Sequence, residues 1–217
     1  MIFAPIGCLA AVLLLLTVPL LFVLLFFNLL SFSFGELGLS QSTALGLIVF
    51  MLLGSLINIP LTRRRATYTF PDTFRGLFAT PPPQHSGVAI NVGGAIIPLG
   101  LCVYLLTIVP SLWQVGLATL IMTAIAKALA RPVPGRGIAM PVFVPPIVSA
   151  LLAILLAPEF AAPCAYITGT LGTLIGADLL NLHKMKRFPG MLSIGGAGLF
   201  DGIFLVGIVA VLLTALA

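Results

Sequence analysis

Residues 8–30 read CLAAVLLLLTVPLLFVLLFFNLL, an apolar run without a single charged side chain. A helix needs about 20 such residues to cross the hydrocarbon core of a bilayer, and this run is long enough. It is too long for the apolar core of a signal peptide. The first Lys or Arg of the chain is Arg63, so the basic flank such a peptide carries is missing as well. The run is expected to stay in the protein as a membrane helix. The remainder has the same character: of 217 residues, 60% are hydrophobic and only 7% charged, and mean hydropathy is +1.26. Ordinary soluble domains carry about 25% charge, so this composition excludes a soluble globular enzyme. It excludes a disordered chain for the opposite reason, too much apolar surface.

Seven stretches qualify as spans: 8–30, 43–61, 87–109, 114–130, 141–158, 164–182 and 193–215. The expectation is an all-α bundle forming one integral membrane domain over residues 1–217, embedded in the lipid of a cell membrane. The ten basic residues cluster in alternate loops: Arg63, Arg64, Arg65 and Arg75, then Lys127, Arg131 and Arg136, then Lys184, Lys186 and Arg187. The positive-inside rule makes that face cytoplasmic, which puts the N-terminus inside and the C-terminus outside. The net charge of +5 is therefore a topology signal and does not point to a nucleic-acid partner. Within the 62–86 loop, Phe70, Phe74 and Phe78 recur every four residues, as in a short segment lying on the inner leaflet. Residues 131–146 carry five prolines and two glycines, which suggests a broken helix lining a cavity at the membrane surface. Cys8, Cys102 and Cys164 are too scattered for a disulfide framework or a metal site. No phosphate loop or dinucleotide fingerprint is present, so no cofactor is expected.

Two carboxylates stand out. Asp178 in LIGADLLNL and Asp201 in GAGLFDGIFL lie within apolar spans, where a charge costs about 2.5–3.5 kcal/mol on insertion scales and is functional by default. Pro189-Gly190 marks the turn between the last two spans. Asp178 lies eleven residues before Pro189, and Asp201 eleven after Gly190. If helix resumes near Ser193, both acids sit about 10–12 Å below the cytoplasmic helix ends at 1.5 Å rise per residue. Glycines surround them, including Gly176, Gly195, Gly196, Gly198 and Gly202, and small residues let backbones approach closely. Two carboxylates brought together in low dielectric share one proton, which yields an acid and a base able to activate water. Three roles stay open at this point: catalysis, a proton or cation site for transport, and a purely structural one in which each acid satisfies a neighbouring polar group.

Ala177-Asp178-Leu179 and Gly198-Leu199-Phe200-Asp201-Gly202 resemble the paired motifs of the presenilin and signal-peptide-peptidase aspartyl proteases. Phe200 stands where those enzymes carry a glycine before the second Asp. The resemblance implies that Asp178 and Asp201 are catalytic and that the substrates are single-span membrane peptides. Gly198 and Gly202, with Pro145 and Pro146 of the 131–146 segment, would then contact substrate. A second resemblance runs through INVGGAIIPLG, RPVPGRGIAMPVFVPP, GTLGTLIGADLL and SIGGAGLFDGIFL. These are similar to a family of small polytopic prokaryotic membrane proteins of unknown function, which implies architecture and supplies no activity. The NVGGA at 91–95 and the SIGGA at 193–197 also resemble each other, as a worn internal repeat would.

Overall fold

The computed structural model of the chain describes residues 3–65, 85–133, 137–185, 191–196 and 202–217. The Phe70, Phe74 and Phe78 segment, Arg136, Pro189-Gly190, Gly198 and Asp201 lie outside the described residues.

Helices dominate. They are α1 (Phe3–Gly35), α2 (Gln41–Gly54), α3 (Ile97–Ile108), α4 (Leu112–Leu129), α5 (Val144–Leu156), α6 (Ala161–Thr173), α7 (Leu182–Met185) and α8 (Gly202–Ala215). Among the described residues, three stretches are long and apolar enough to cross a membrane: Leu15–Gly35, Leu112–Leu129 and Pro158–Asn181. The first is an outlier in packing. From Leu15 to Leu25 its side chains are exposed, and α1 docks only from Phe26 onward, where Leu30 and Phe34 are buried. The Phe34 ring lies against Tyr166, and Ser33 Oγ donates to the Ile208 carbonyl at 3.0 Å.

The centre of the molecule is α6. Every residue from Cys164 to Thr170 is buried, as helices α3, α4, α5 and α8 pack around it. Small residues make that crowding possible. A Cβ on Gly176 would collide with the Thr123 carbonyl of α4, and one on Gly169 would press on Val206 of α8. In a bilayer the attraction between helices is mostly van der Waals contact, so close approach of backbones holds them together.

The spans expected at 43–61, 87–109 and 193–215 are not helical throughout, and the all-α expectation is corrected. Helix α2 stops at Gly54, and Asn58–Arg65 forms strand β1. Strand β2 is His85–Asn91, and a π turn (Val92–Ile96) leads from it into α3. Strand β5 is Met191–Ile194. The sheet order is β1-β2-β5, with β1 antiparallel to β2 from Asn58↔Asn91 to Arg65↔His85. A register shift falls between Pro60 and Thr62, where proline cannot supply a ladder N–H. Strand β5 runs parallel to β2, from Gly87↔Met191 to Ile90↔Ile194. An apolar run alone does not distinguish a buried strand from a buried helix. Here Pro60 pushes Ile59 out of the helical region, and the branched Ile59 and Thr62 favour the extended chain.

The 131–146 segment is also corrected. It holds a hairpin of β3 (Arg131–Val133) and β4 (Gly137–Ala139), followed by an ordinary helix α5 instead of a broken one. Pro145 and Pro146 sit buried in the first turn of α5, where a missing N–H leaves no gap.

Helices α4, α5 and α6 run up and down in turn. At one end Gln114 Nε2, at the head of α4, donates to the Leu156 carbonyl at the foot of α5, 2.7 Å away. At the other end Ala126 and Lys127 of α4 meet Gly176, close to the sheet. Lys127, Arg131 and the arginine-bearing strand β1 therefore belong to the sheet end of the bundle.

Candidate functional site

The α6 helix does not end cleanly. After Thr173 it widens into a π turn (Leu174–Asp178), tightens into a 3-10 turn (Leu179–Asn181) and finishes as α7. The Leu179 N–H straddles the carbonyls of Ile175 and Leu174. Asp178 closes the wide turn. Such turns are rare and concentrate at functional sites.

The half-buried Asp178 side chain reaches out of its own helix. Its Oδ2 accepts a hydrogen bond from the Gly195 N–H at 2.8 Å. Gly195 and Gly196 follow strand β5 with φ of +81° and +72°, a backbone conformation that side-chain-bearing residues rarely adopt. A Cβ on Gly195 would also press on Ala95 at 2.6 Å. The turn after β5 thus rests on the Gly93-Gly94 turn after β2, and a Cβ on Gly93 would collide in turn with the backbone of Met51 and Ser55. The NVGGA and SIGGA likeness has a physical counterpart here, since both are strand-to-Gly-Gly passages lying side by side in parallel.

A small polar network holds this corner together. Asn91, 1% exposed, accepts from the Gly94 N–H through Oδ1 at 2.7 Å and donates through Nδ2 to the Ser55 carbonyl at 2.7 Å. Asn58 Oδ1 accepts from both Asn91 Nδ2 (3.1 Å) and Ser193 Oγ (2.6 Å), so all three strands are tied through one oxygen. Sequence reasoning passed over Asn58 and took Asn91 and Ser193 only as the first residues of two similar Gly-Gly segments. The available signal was an amide three residues before a Gly in front of an apolar run, the pattern of a helix N-cap.

Of the expected site residues, the structure brings Asp178 to Gly195. Asp201 and Gly198 lie outside the described residues, and Gly202 is the first residue of α8. The equal-depth argument is corrected, because Ser193 is in strand β5 and helix does not resume there. Pro145 and Pro146 lie at the head of α5, which packs on α6 and α8, and the Pro145 carbonyl accepts from Ser149 Oγ at 2.7 Å. Among the described residues no three His, Cys, Asp or Glu side chains gather as a metal site would need.

No curated protein and no solved structure matches the chain. A family model does, the one described as "Protein of unknown function (DUF1614)", over residues 52–213. The match takes in the sheet, both Gly-Gly turns, Asp178 and Asp201, and leaves α1 outside; over more than half its length the chain fits this model, and it belongs to that family.

Proposed function

We propose that this is a multi-pass protein of a prokaryotic cell membrane whose Asp178 and Asp201 form an aspartyl-protease-like site acting on single-span membrane peptides. The observation that carries the reading is the Asp178–Gly195 hydrogen bond. It fastens the first acid to the short stretch that leads to the second. Asp201 is the sixth residue after Gly195, so the second acid stays within about 20 Å of the turn at full extension. One carboxylate takes a proton from water as the water oxygen attacks the scissile carbonyl, and the other gives its proton to the carbonyl oxygen. Transfer of a proton to the amide nitrogen then releases the amine as the C–N bond breaks. In this reading Gly198, Gly202, Pro145 and Pro146 are the residues that would contact an unwound substrate.

Purified protein incubated with mixed single-span peptides should yield cuts within the spans, read by mass. Either Asp→Asn change or a hydroxyl-bearing transition-state mimic should abolish them. Intact peptides under all conditions overturn the hydrolase reading. A second reading uses the same acids as a proton or cation site for transport. Its specific support is polar lining inside the bundle, since the buried Thr119 and Thr173 hydroxyls have no hydrogen-bond partner. Flux into proteoliposomes coupled to a pH gradient, with peptides left whole, decides for it.

A further inference from the structure

Strand β1 begins at a depth where a membrane helix would still be running. Helix α2 has 14 residues, about 21 Å at 1.5 Å rise per residue, against about 30 Å for the hydrocarbon core of a bilayer. The chain does not turn polar where the helix stops. Leu56, Ile57, Ile59 and Leu61 follow, all 43–66% exposed, and none of them joins a buried cluster of the interior. Apolar side chains thus continue along the outside of the molecule, and basic ones succeed them. Arg63, Arg64 and Arg65 complete the strand, paired through the backbone with Gly87, Ser86 and His85.

The strand is divided along its length. A half-buried strand alternates polar and apolar residues between its two faces, whereas in β1 the apolar part comes first and the basic part last. The register shift contributes to this, since Leu61 is left out of the pairing and the Thr62 hydroxyl accepts from the Val88 N–H at 3.1 Å. Strand β1 also lies at the edge of the sheet, and among the described residues no strand pairs with its far side. Open sheet edges do not face hydrocarbon, because their N–H and C=O groups would go unpaired there. The edge therefore belongs at the level of the lipid headgroups, and the short α2 brings that level to it. Charge at this end of the bundle has one sign. Lys127 and Arg131 are exposed beside the sheet, while Glu36 and Glu159 lie in the turns at the other end. Asp178, the remaining carboxylate among the described residues, is engaged by the Gly195 N–H.

We propose that the β1 edge is a binding site for an anionic phospholipid, with acyl chains along Leu56, Ile57, Ile59 and Leu61 and the phosphate against the arginine end of the strand. Arginine suits that role, because its planar fork of donors matches two phosphate oxygens at once. The site rests on the membrane reading of the chain and is independent of what Asp178 does.

Native mass spectrometry tests it, on protein released from nanodiscs of equal parts phosphatidylglycerol and phosphatidylcholine with the same acyl chains. A single arginine beside an anionic surface is worth about fivefold in affinity. Phosphatidylglycerol should therefore be retained over phosphatidylcholine by at least about fivefold, and the combined changes Arg63→Gln, Arg64→Gln and Arg65→Gln should bring the ratio close to one. Equal retention overturns the proposal, as does a preference that survives those three changes. Loss of the preference in inorganic phosphate, with chloride of the same ionic strength inert, overturns it in favour of a free-anion site. A dimer retained in place of lipid overturns it in favour of pairing between copies. Protein that never enters the nanodisc overturns the membrane reading itself, whereas protein that enters and shows no preference overturns only this site. Should the triple variant fail to fold, the unaltered chain answers the same question. Its thermal midpoint should be higher in phosphatidylglycerol than in phosphatidylcholine at low salt, and the difference should vanish at about 1 M salt, where the Debye length is about 3 Å. Equal midpoints at low salt, or a difference that salt does not touch, overturn the proposal.

Discussion

Asn91 shows how much one side chain can organise. It satisfies the buried Gly94 N–H and the buried Ser55 carbonyl and also donates to the exposed Asn58 amide. Asn91→Ala leaves a buried donor and a buried acceptor bare, and each such group costs about 1–3 kcal/mol. The expected outcome is a clear drop in thermal midpoint in detergent, read by near-UV circular dichroism. Thr107→Ala, at an exposed hydroxyl bonded only to its own helix, should leave the midpoint unchanged. Gly195→Ala should be worse than either, combining a left-handed backbone with the collision on Ala95. Asp178 was legible from sequence because a carboxylate in an apolar run has to be explained. Asn91 was not: an uncharged amide inside the expected 87–109 span reads as one more helical residue, and only the pairing of β1 with β2 reveals what it bonds.

The helices themselves were visible, since long apolar runs leave few alternatives. What the sequence hid was where they change into something else. NIPL continues the apolar pattern of α2 yet forms β1, and LIGADLLN continues that of α6 yet passes through two other helix types. Both changes depend on distant partners, β2 in one case and α4 in the other. Within α1 the split runs the other way, with one regular helix serving two environments. Phe22 is exposed, while Phe34 is fully buried against Tyr166. Phe34→Ala should cost on the order of 2 kcal/mol, less than in a soluble core because only packing is lost and no transfer from water contributes. Phe22→Ala should cost nothing measurable in the same assay, a steric-trap or denaturant titration in bicelles.

Across the whole molecule, β1, Lys127 and Arg131 gather at the sheet end of the bundle, the end that the charge pattern assigns to the cytoplasm as an expectation still to be tested. Reporter fusions test it. A fusion at Arg64 should report a cytoplasmic location, and fusions at Ser33 and at the C-terminus should report an external one. An external Arg64 overturns the topology and the direction in which the site opens. The parallel pairing of β2 with β5 has a further consequence, one of timing. Gly87 to Ile90 must wait for Met191 to Ile194, and Asp178 has no Gly195 to hold until that turn has been made. At about 5–20 residues per second of synthesis, several seconds pass between the emergence of the two strands. A ribosome-bound chain that has just passed Asp178 already holds α1 to α6 in sequence and still lacks the turn that fixes its carboxylate. The corner that holds Asp178 is thereby assembled late in synthesis, well after the strand it leans on has been made.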